Sequence, residues 1–297
     1  MEQNAPNTTY RADTGQQPDL LAVLDTHFAE REVLVGNDAT RVACRIGGTR
    51  GPVVVLLHGI SSGAASWLPC ASLLAAGARV IAWDAPGYGR STPLPMPNPT
   101  ARDYALRLEQ LLGALKVRPD LIVGHSLGAL MASAYAAHAP ADMQPGRFLL
   151  LSPALGYGAA DNEEKSQAVA QQRIDALESL GVEGLAQRGP TRLLSPAATA
   201  DAQAWVRWNM ARLNPDGYRQ AVALLCGDDI HRYLDQRQVP VEIGCGSEDV
   251  VTTPVASSAL ADRFALPFHA IADAGHACYI EQPQAVARVV RAALPPL

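Results

Sequence analysis

An α/β architecture built on a mainly parallel, doubly wound sheet follows from three features of the chain. Short apolar runs rich in β-branched residues alternate with helix-length segments, the pattern of strands buried on both faces. One such run, Leu121-Ile122-Val123, leads directly into Gly124-His125-Ser126-Leu127-Gly128 and then into a small-residue helix. A stretch of about eighty residues, from Pro153 to Arg237, carries helical patterns and no buried strand. Strands that alternate with helices pair in parallel and place helices on both faces of the sheet.

Taken in order, residues 1–18 are polar and read as a flexible tail. Asp19 to Arg31 has helical spacing through Leu20, Leu21, Leu24 and Phe28, and Glu32 to Gly48 reads as two short strands around Gly36-Asn37-Asp38. Val53–Leu57, Arg79–Trp83, Leu121–Val123, Phe148–Leu151, Val241–Gly244 and Phe268–Ala272 are the expected sheet strands. Thr100–Leu115, Leu127–His138 and Pro283–Leu294 are expected helices. Lys165–Gly181, Ala200–Leu213 and Asp216–Cys226 are helical too, but no strand separates them. An insertion of this kind between two sheet strands is expected to form a helical cap over residues 153–236. The core would then comprise residues 19–152 and 237–297.

Composition excludes several function classes. With 48% hydrophobic residues in 297, a large core can be buried. No window approaches the roughly 18 uninterrupted apolar residues of a membrane span. Twenty-four basic against twenty-nine acidic residues give a net charge of −5 without a basic stripe, so nucleic acid is not an expected partner. The polar N-terminus lacks the basic-then-apolar order of a signal peptide, and a cytoplasmic location is expected. Five cysteines and seven histidines show no metal-ligand spacing, so neither a metal nor another cofactor is expected. The chain leaves a homodimer open.

The chemistry is concentrated just after the strands, where open parallel sheets bind ligands. A serine on a sharp strand-to-helix turn needs neighbours without bulk, which Gly124 and Gly128 supply, and its hydroxyl then stands at a helix N-terminus. Ser126 is the candidate nucleophile. A serine hydroxyl needs a base titrating near neutrality, and that base needs an acceptor to fix its tautomer. His276, after the last strand, is the candidate base. Asp249, after Val241–Gly244, is the candidate orienter, with Glu248 beside it as the alternative acid. The tetrahedral intermediate needs two oxyanion donors. The N–H of Leu127 is one, and the loop His58-Gly59-Ile60-Ser61-Ser62-Gly63 offers the other at Ile60, with Ser61 second. His125 is expected to pack beside the turn, and His58 to support its loop by hydrogen bonding.

The segments LLHG, WDAPGYGRS, GHSLG, GSEDVVTTP and AGHACYIEQP together resemble the alpha/beta-hydrolase superfamily over roughly residues 40–152 and 237–297. That resemblance implies an eight-stranded sheet with its second strand antiparallel, and a helical cap between the sixth and seventh strands. It also implies that the loop Asp84–Ser91 borders the pocket. His276–Pro283 and Asn214–Asp229 are similar to the corresponding stretches of oxoadipate enol-lactonases, whereas HGISSG is closer to general esterases and meta-cleavage-product hydrolases.

The reading that results is a cofactor-independent serine hydrolase cleaving a small carboxylic ester or lactone through an acyl-enzyme on Ser126. One alternative is a C–C bond hydrolase acting on a meta-cleavage-type vinylogous diketone. Another is a ligand receptor that keeps the fold without turnover. Ser61, Trp208 and Tyr218 are the candidate substrate-binding residues, with Trp205 and Met210 beside them on helical stretches. For an acidic substrate, Arg207, Arg212 or Arg219 would be the carboxylate ligand.

Overall fold

The apolar runs become the middle of one eight-stranded sheet because their side chains alternate between two buried layers. In the computed structural model, which describes residues 20–36 and 40–294, the strands are β1 (Glu30–Val35), β2 (Thr40–Gly47), β3 (Val53–Leu57), β4 (Arg79–Trp83), β5 (Leu121–His125), β6 (Arg147–Leu151), β7 (Val241–Gly246) and β8 (Phe268–Ile271). Their order across the sheet is β1-β2-β4-β3-β5-β6-β7-β8. β2 runs antiparallel to both of its neighbours, and every other pairing is parallel. The expected eight-stranded, mostly parallel sheet with an antiparallel second strand is therefore present. The tail over residues 1–18 and the turn residues Asn37 and Asp38 lie outside the described residues.

The helices are α1 (Leu20–His27), α2 (Leu68–Leu74), α3 (Ala101–Leu115), α4 (Leu127–His138), α5 (Glu163–Leu193), α6 (Ala200–Met210), α7 (Pro215–Gly227), α8 (Ile230–Leu234), α9 (Pro254–Arg263), α10 (Cys278–Glu281) and α11 (Pro283–Ala293). Val55, Leu57, Ile122, Phe148 and Leu150 face one layer, packed with Tyr104 and Leu108 of α3 and Leu130 and Tyr135 of α4. Val54, Leu56, Val123, Leu149 and Leu151 face the other, packed with Leu24 of α1, Leu68 and Leu74 of α2, and Val286 and Val290 of α11. Both faces of the central strands are thus covered, which accounts for their unbroken apolar sequence. α4 is buried on every side from Leu127 to Ala137, so its sequence shows no polar face.

Local signals set many of the boundaries. The Asp103 carboxylate accepts the backbone N–H of Thr100 at 2.8 Å and starts α3. The Thr199 hydroxyl accepts from Ala202 at the start of α6, and the Asn214 side chain accepts from Asp216 at the start of α7. α1 stops at His27, short of Arg31, because Glu30–Val35 pairs along its length with β2. Strand pairing outweighs the helical spacing there. α5 runs past Gly181 but breaks at it, with φ 63° and ψ 178°, a conformation reserved for glycine.

The five residues GHSLG owe their spacing to close packing as much as to turn geometry. A Cβ on Gly128 would stand 2.4 Å from the Leu57 carbonyl oxygen and 2.7 Å from that of His58, at the end of β3. One on Gly124 would stand 2.4 Å from the carbonyl oxygen of Gly128. These are backbone neighbours that cannot swing away. We expect Gly128→Ala to destabilise the fold by about 1–3 kcal/mol, read from urea unfolding. An unchanged midpoint would show that the turn has room that these distances deny.

Candidate active site

Ser126 follows β5 and precedes α4 with φ 53° and ψ −115°, an uncommon conformation for a residue with a side chain, costing roughly 1–3 kcal/mol. The surroundings hold it there. Its N–H donates to Leu151 at 3.0 Å, and its carbonyl accepts from Ala129 at 3.0 Å and from Ala154 at 3.1 Å. Its hydroxyl has no hydrogen-bond partner among the described residues and opens onto a cavity. Catalytic hydrogen bonds are often absent or long before a ligand is bound.

Asp249 and His276 arrive from the ends of β7 and β8. His276 donates Nδ1–H to Asp249 Oδ2 at 2.9 Å, which leaves the lone pair of the neutral ring on Nε2. The other carboxylate oxygen, Oδ1, accepts the backbone N–H groups of Val251 at 2.7 Å and Thr252 at 3.0 Å. Burial opposes charge on Asp249, yet the His276 hydrogen bond and charge, with the two N–H groups, outweigh it. They hold the carboxyl well below the ordinary carboxylate range. The Thr252 hydroxyl lies 2.9 Å from Asp249 Oδ2 and 3.1 Å from His276 Nδ1. Glu248 does not line the cavity, and no hydrogen bond joins it to His276. Ser126 and His276 line the same cavity, and His276 is paired with Asp249 behind it.

The candidate oxyanion loop is built from neutral groups, buried at His58, Gly59 and Ile60. The N–H groups of Ile60 and Leu127 have no protein acceptor among the described residues, and both residues line the cavity. A Cβ on Gly59 would stand 2.9 Å from the Ser126 Cβ, so the loop lies directly against Ser126. His58 accepts the Ala85 N–H on Nε2 at 3.0 Å and therefore donates Nδ1–H to Gly59 at 2.9 Å. The Tyr88 hydroxyl donates to the Ile60 carbonyl at 2.8 Å. Asp84–Ser91 does not line the cavity; this loop braces the oxyanion loop instead of bordering the pocket itself.

His125 is 3% exposed, donates Nε2–H to the His276 carbonyl at 2.8 Å, and has no partner for Nδ1 among the described residues. Burial, reinforced by the His276 ring, pushes its pKa down to about 3. Burial pushes His58 down to about 4 against its hydrogen bond to Gly59. Glu281 secures the histidine loop from outside. Its carboxylate accepts the N–H of Gly275 at 2.9 Å and that of Ser195 at 3.1 Å, and it also receives the Ser195 hydroxyl.

The cavity has a volume of about 1430 Å³, above the roughly 300–1,000 Å³ of ordinary small-molecule sites. The insertion between β6 and β7 lines it through α5, α6, α7 and His231 of α8, and α8 also packs on α4. Ser61, Tyr218 and Met210 line it; Trp205 and Trp208 do not. Val206, Asn209 and Met210 occupy the cavity-facing stripe of α6. Trp208 instead stacks on Trp205 at 4.8 Å, with the Arg212 guanidinium 3.5 Å over its ring. Arg207, Arg212 and Arg219 are likewise outside the lining, and Arg173, Arg188 and Arg192 of α5 are inside it. Among the described residues, no group of three His, Cys, Asp or Glu side chains is gathered to hold a metal ion.

Thr252 and Glu281 fall within the segments GSEDVVTTP and AGHACYIEQP, yet only the third dimension gives them partners. A family model described as the alpha/beta hydrolase family matches residues 54–289. The chain belongs to the alpha/beta hydrolase family. The proposed carbamate hydrolase RutD of Escherichia coli O6:H1 is 28% identical over 256 residues, covering 78% of this chain and 84% of RutD. The enol-lactonase of Burkholderia xenovorans LB400 superposes with a TM-score of 0.74 at 24% identity, over 88% of this chain and 98% of that one. A thermophilic esterase from Thermogutta terrifontis gives 0.73 at 22% identity, over 89% and 97%. At such identities the two structures speak to the fold alone.

The two depressed histidines make stability depend on pH. Both rings are neutral when folded, while unfolded imidazoles bind protons below about 6.5. The unfolded state therefore gains protons first as pH falls, and stability declines from there toward the folded values near 4 and 3. Each ring contributes about 1.4 kcal/mol per pH unit well inside that window. We expect His125→Gln to reduce proton uptake on unfolding by about one between pH 6 and 4.5, measured from unfolding free energies. An unaltered slope would mean that His125 is charged in the folded protein.

Proposed function

We propose that this alpha/beta hydrolase cleaves a carboxylic ester or lactone through an acyl-enzyme on Ser126. The observation that carries the reading is the 2.9 Å Asp249–His276 pair, whose free Nε2 shares a cavity with a strained, unpartnered serine. His276 Nε2 takes the Ser126 proton as the hydroxyl oxygen attacks the acyl carbon. Asp249 steadies the imidazolium. The N–H groups of Ile60 and Leu127 receive the developing oxyanion, each worth roughly 3–4 kcal/mol in the transition state. The intermediate collapses, His276 returns the proton to the departing alkoxide, and the acyl group stays on Ser126. His276 then deprotonates water, which attacks the acyl carbon and releases the acid, restoring the serine.

The similar RutD chain, whose name specifies carbamate cleavage, favours an acyl carbon bound to a heteroatom over C–C cleavage of a diketone. The cavity volume favours acyl groups larger than a minimal lactone.

A fluorophosphonate probe should label Ser126, and Ser126→Ala should lose about 10⁴–10⁶-fold in kcat on p-nitrophenyl esters or lactones while keeping its circular dichroism. Wild-type rates in that variant would remove the mechanism. Rapid bleaching of a ring-fission dienol without ester turnover would favour the C–C hydrolase. Ligand binding with neither labelling nor turnover would favour the receptor.

A further inference from the structure

The cavity wall carries the opposite charge to the rest of the chain. The protein has a net charge of −5, yet five cations, Lys165, Arg173, Arg188, Arg192 and Arg263, line the cavity against only two carboxylates. One of those two, Asp229, is already held by His231 at 2.6 Å. None of the five cations forms an ion pair among the described residues.

Arg173 differs from the other four because it is half-buried while they are exposed. Its charge is the least screened by water, and a desolvated guanidinium without a counter-ion is costly. It is also oriented. Nη1 donates to the Tyr218 hydroxyl at 3.3 Å, and Tyr218 is 4% exposed and lines the same cavity. Arg173 and Tyr218 both lie within electrostatic range of the Tyr88 hydroxyl, which holds the Ile60 carbonyl.

We propose that Arg173, oriented by Tyr218, binds a carboxylate carried by the substrate, so that the preferred ester or lactone is an acid-bearing one. This rests on the Ser126 hydrolase reading and names its substrate class. The planar guanidinium fork matches a carboxylate through two parallel N–H bonds. Tyr218, accepting from Arg173, keeps its own proton to donate to the same carboxylate. Ser126 and Arg173 line the same cavity, so one substrate can present its acyl carbon to the serine and its charge to α5.

The test uses the full chain and matched p-nitrophenyl monoesters of linear dicarboxylic acids, each paired with its methyl-capped neutral analogue over a range of lengths. At the best length, kcat/KM should favour the acid by at least tenfold. Arg173→Gln should lower that acid-to-neutral ratio at least tenfold, chiefly through KM for the acid, and Arg173→Lys should recover part of it. Equal kcat/KM for acid and neutral esters at every length would overturn the assignment, as would an unchanged ratio in Arg173→Gln. If Arg173→Gln fails to fold by circular dichroism, the wild-type ratio and Arg173→Lys decide. Ser126→Ala separates the two levels. Neutral esters cleaved only when Ser126 is present, without preference for acids, contradict the Arg173 assignment alone; cleavage independent of Ser126 contradicts the hydrolase reading.

Discussion

A single backbone conformation organises this molecule. Ser126 sits at positive φ between a strand and a helix, and the chain can hold it there only because β3, β5 and α4 approach within backbone contact. Gly128 against the Leu57 and His58 carbonyls, and Gly124 against Gly128 itself, are the points of that contact. The same approach places the Gly59–Ile60 segment beside the serine and leaves the first N–H of α4 unpaired. The proposed nucleophile and the proposed oxyanion donors are therefore consequences of one packing arrangement.

Around that turn the protein separates charged from neutral groups. Asp249 is held ionised by His276 and by two backbone N–H groups, whereas His58 and His125 are held neutral by burial. The neutral rings act as rigid hydrogen-bonding struts. His58 joins the oxyanion loop to the start of the loop after β4, and His125 joins the elbow to the His276 backbone. A proton on His58 would abolish its acceptance of the Ala85 N–H, and one on His125 would place a charge on a buried nitrogen with no partner among the described residues. Glu281 does comparable work from the other side, tying the His276 loop to the segment after α5.

Much of this was legible in the sequence because it depends on local pattern. The buried strands announce themselves as unbroken apolar runs, and Ser126, Asp249 and His276 each follow one. Gly124 and Gly128 mark the elbow since no other residue fits. What was not legible depends on the direction in which a helix faces. Trp208 reads as a pocket aromatic, but it stacks on Trp205 one helical stripe away from Met210. Arg173 sits on a mostly polar helix, and its partner Tyr218 lies 45 positions later, so no spacing rule connects them. The loop Asp84–Ser91 reads as pocket wall; its contact is the Tyr88 bond to Ile60, which requires the third dimension. α1 ends earlier than its apolar spacing suggests because β1 claims Glu30 and Arg31 for pairing.

The most direct test of the account is a crystal structure of the chain after reaction with a phosphonate ester. The phosphorus should be bonded to Ser126 Oγ, with its oxyanion about 2.7–3.1 Å from the N–H groups of Ile60 and Leu127 and His276 Nε2 within hydrogen-bonding reach of Oγ or the leaving-group position. An adduct on any other residue, or an oxyanion turned away from both N–H groups with His276 out of reach, would contradict it.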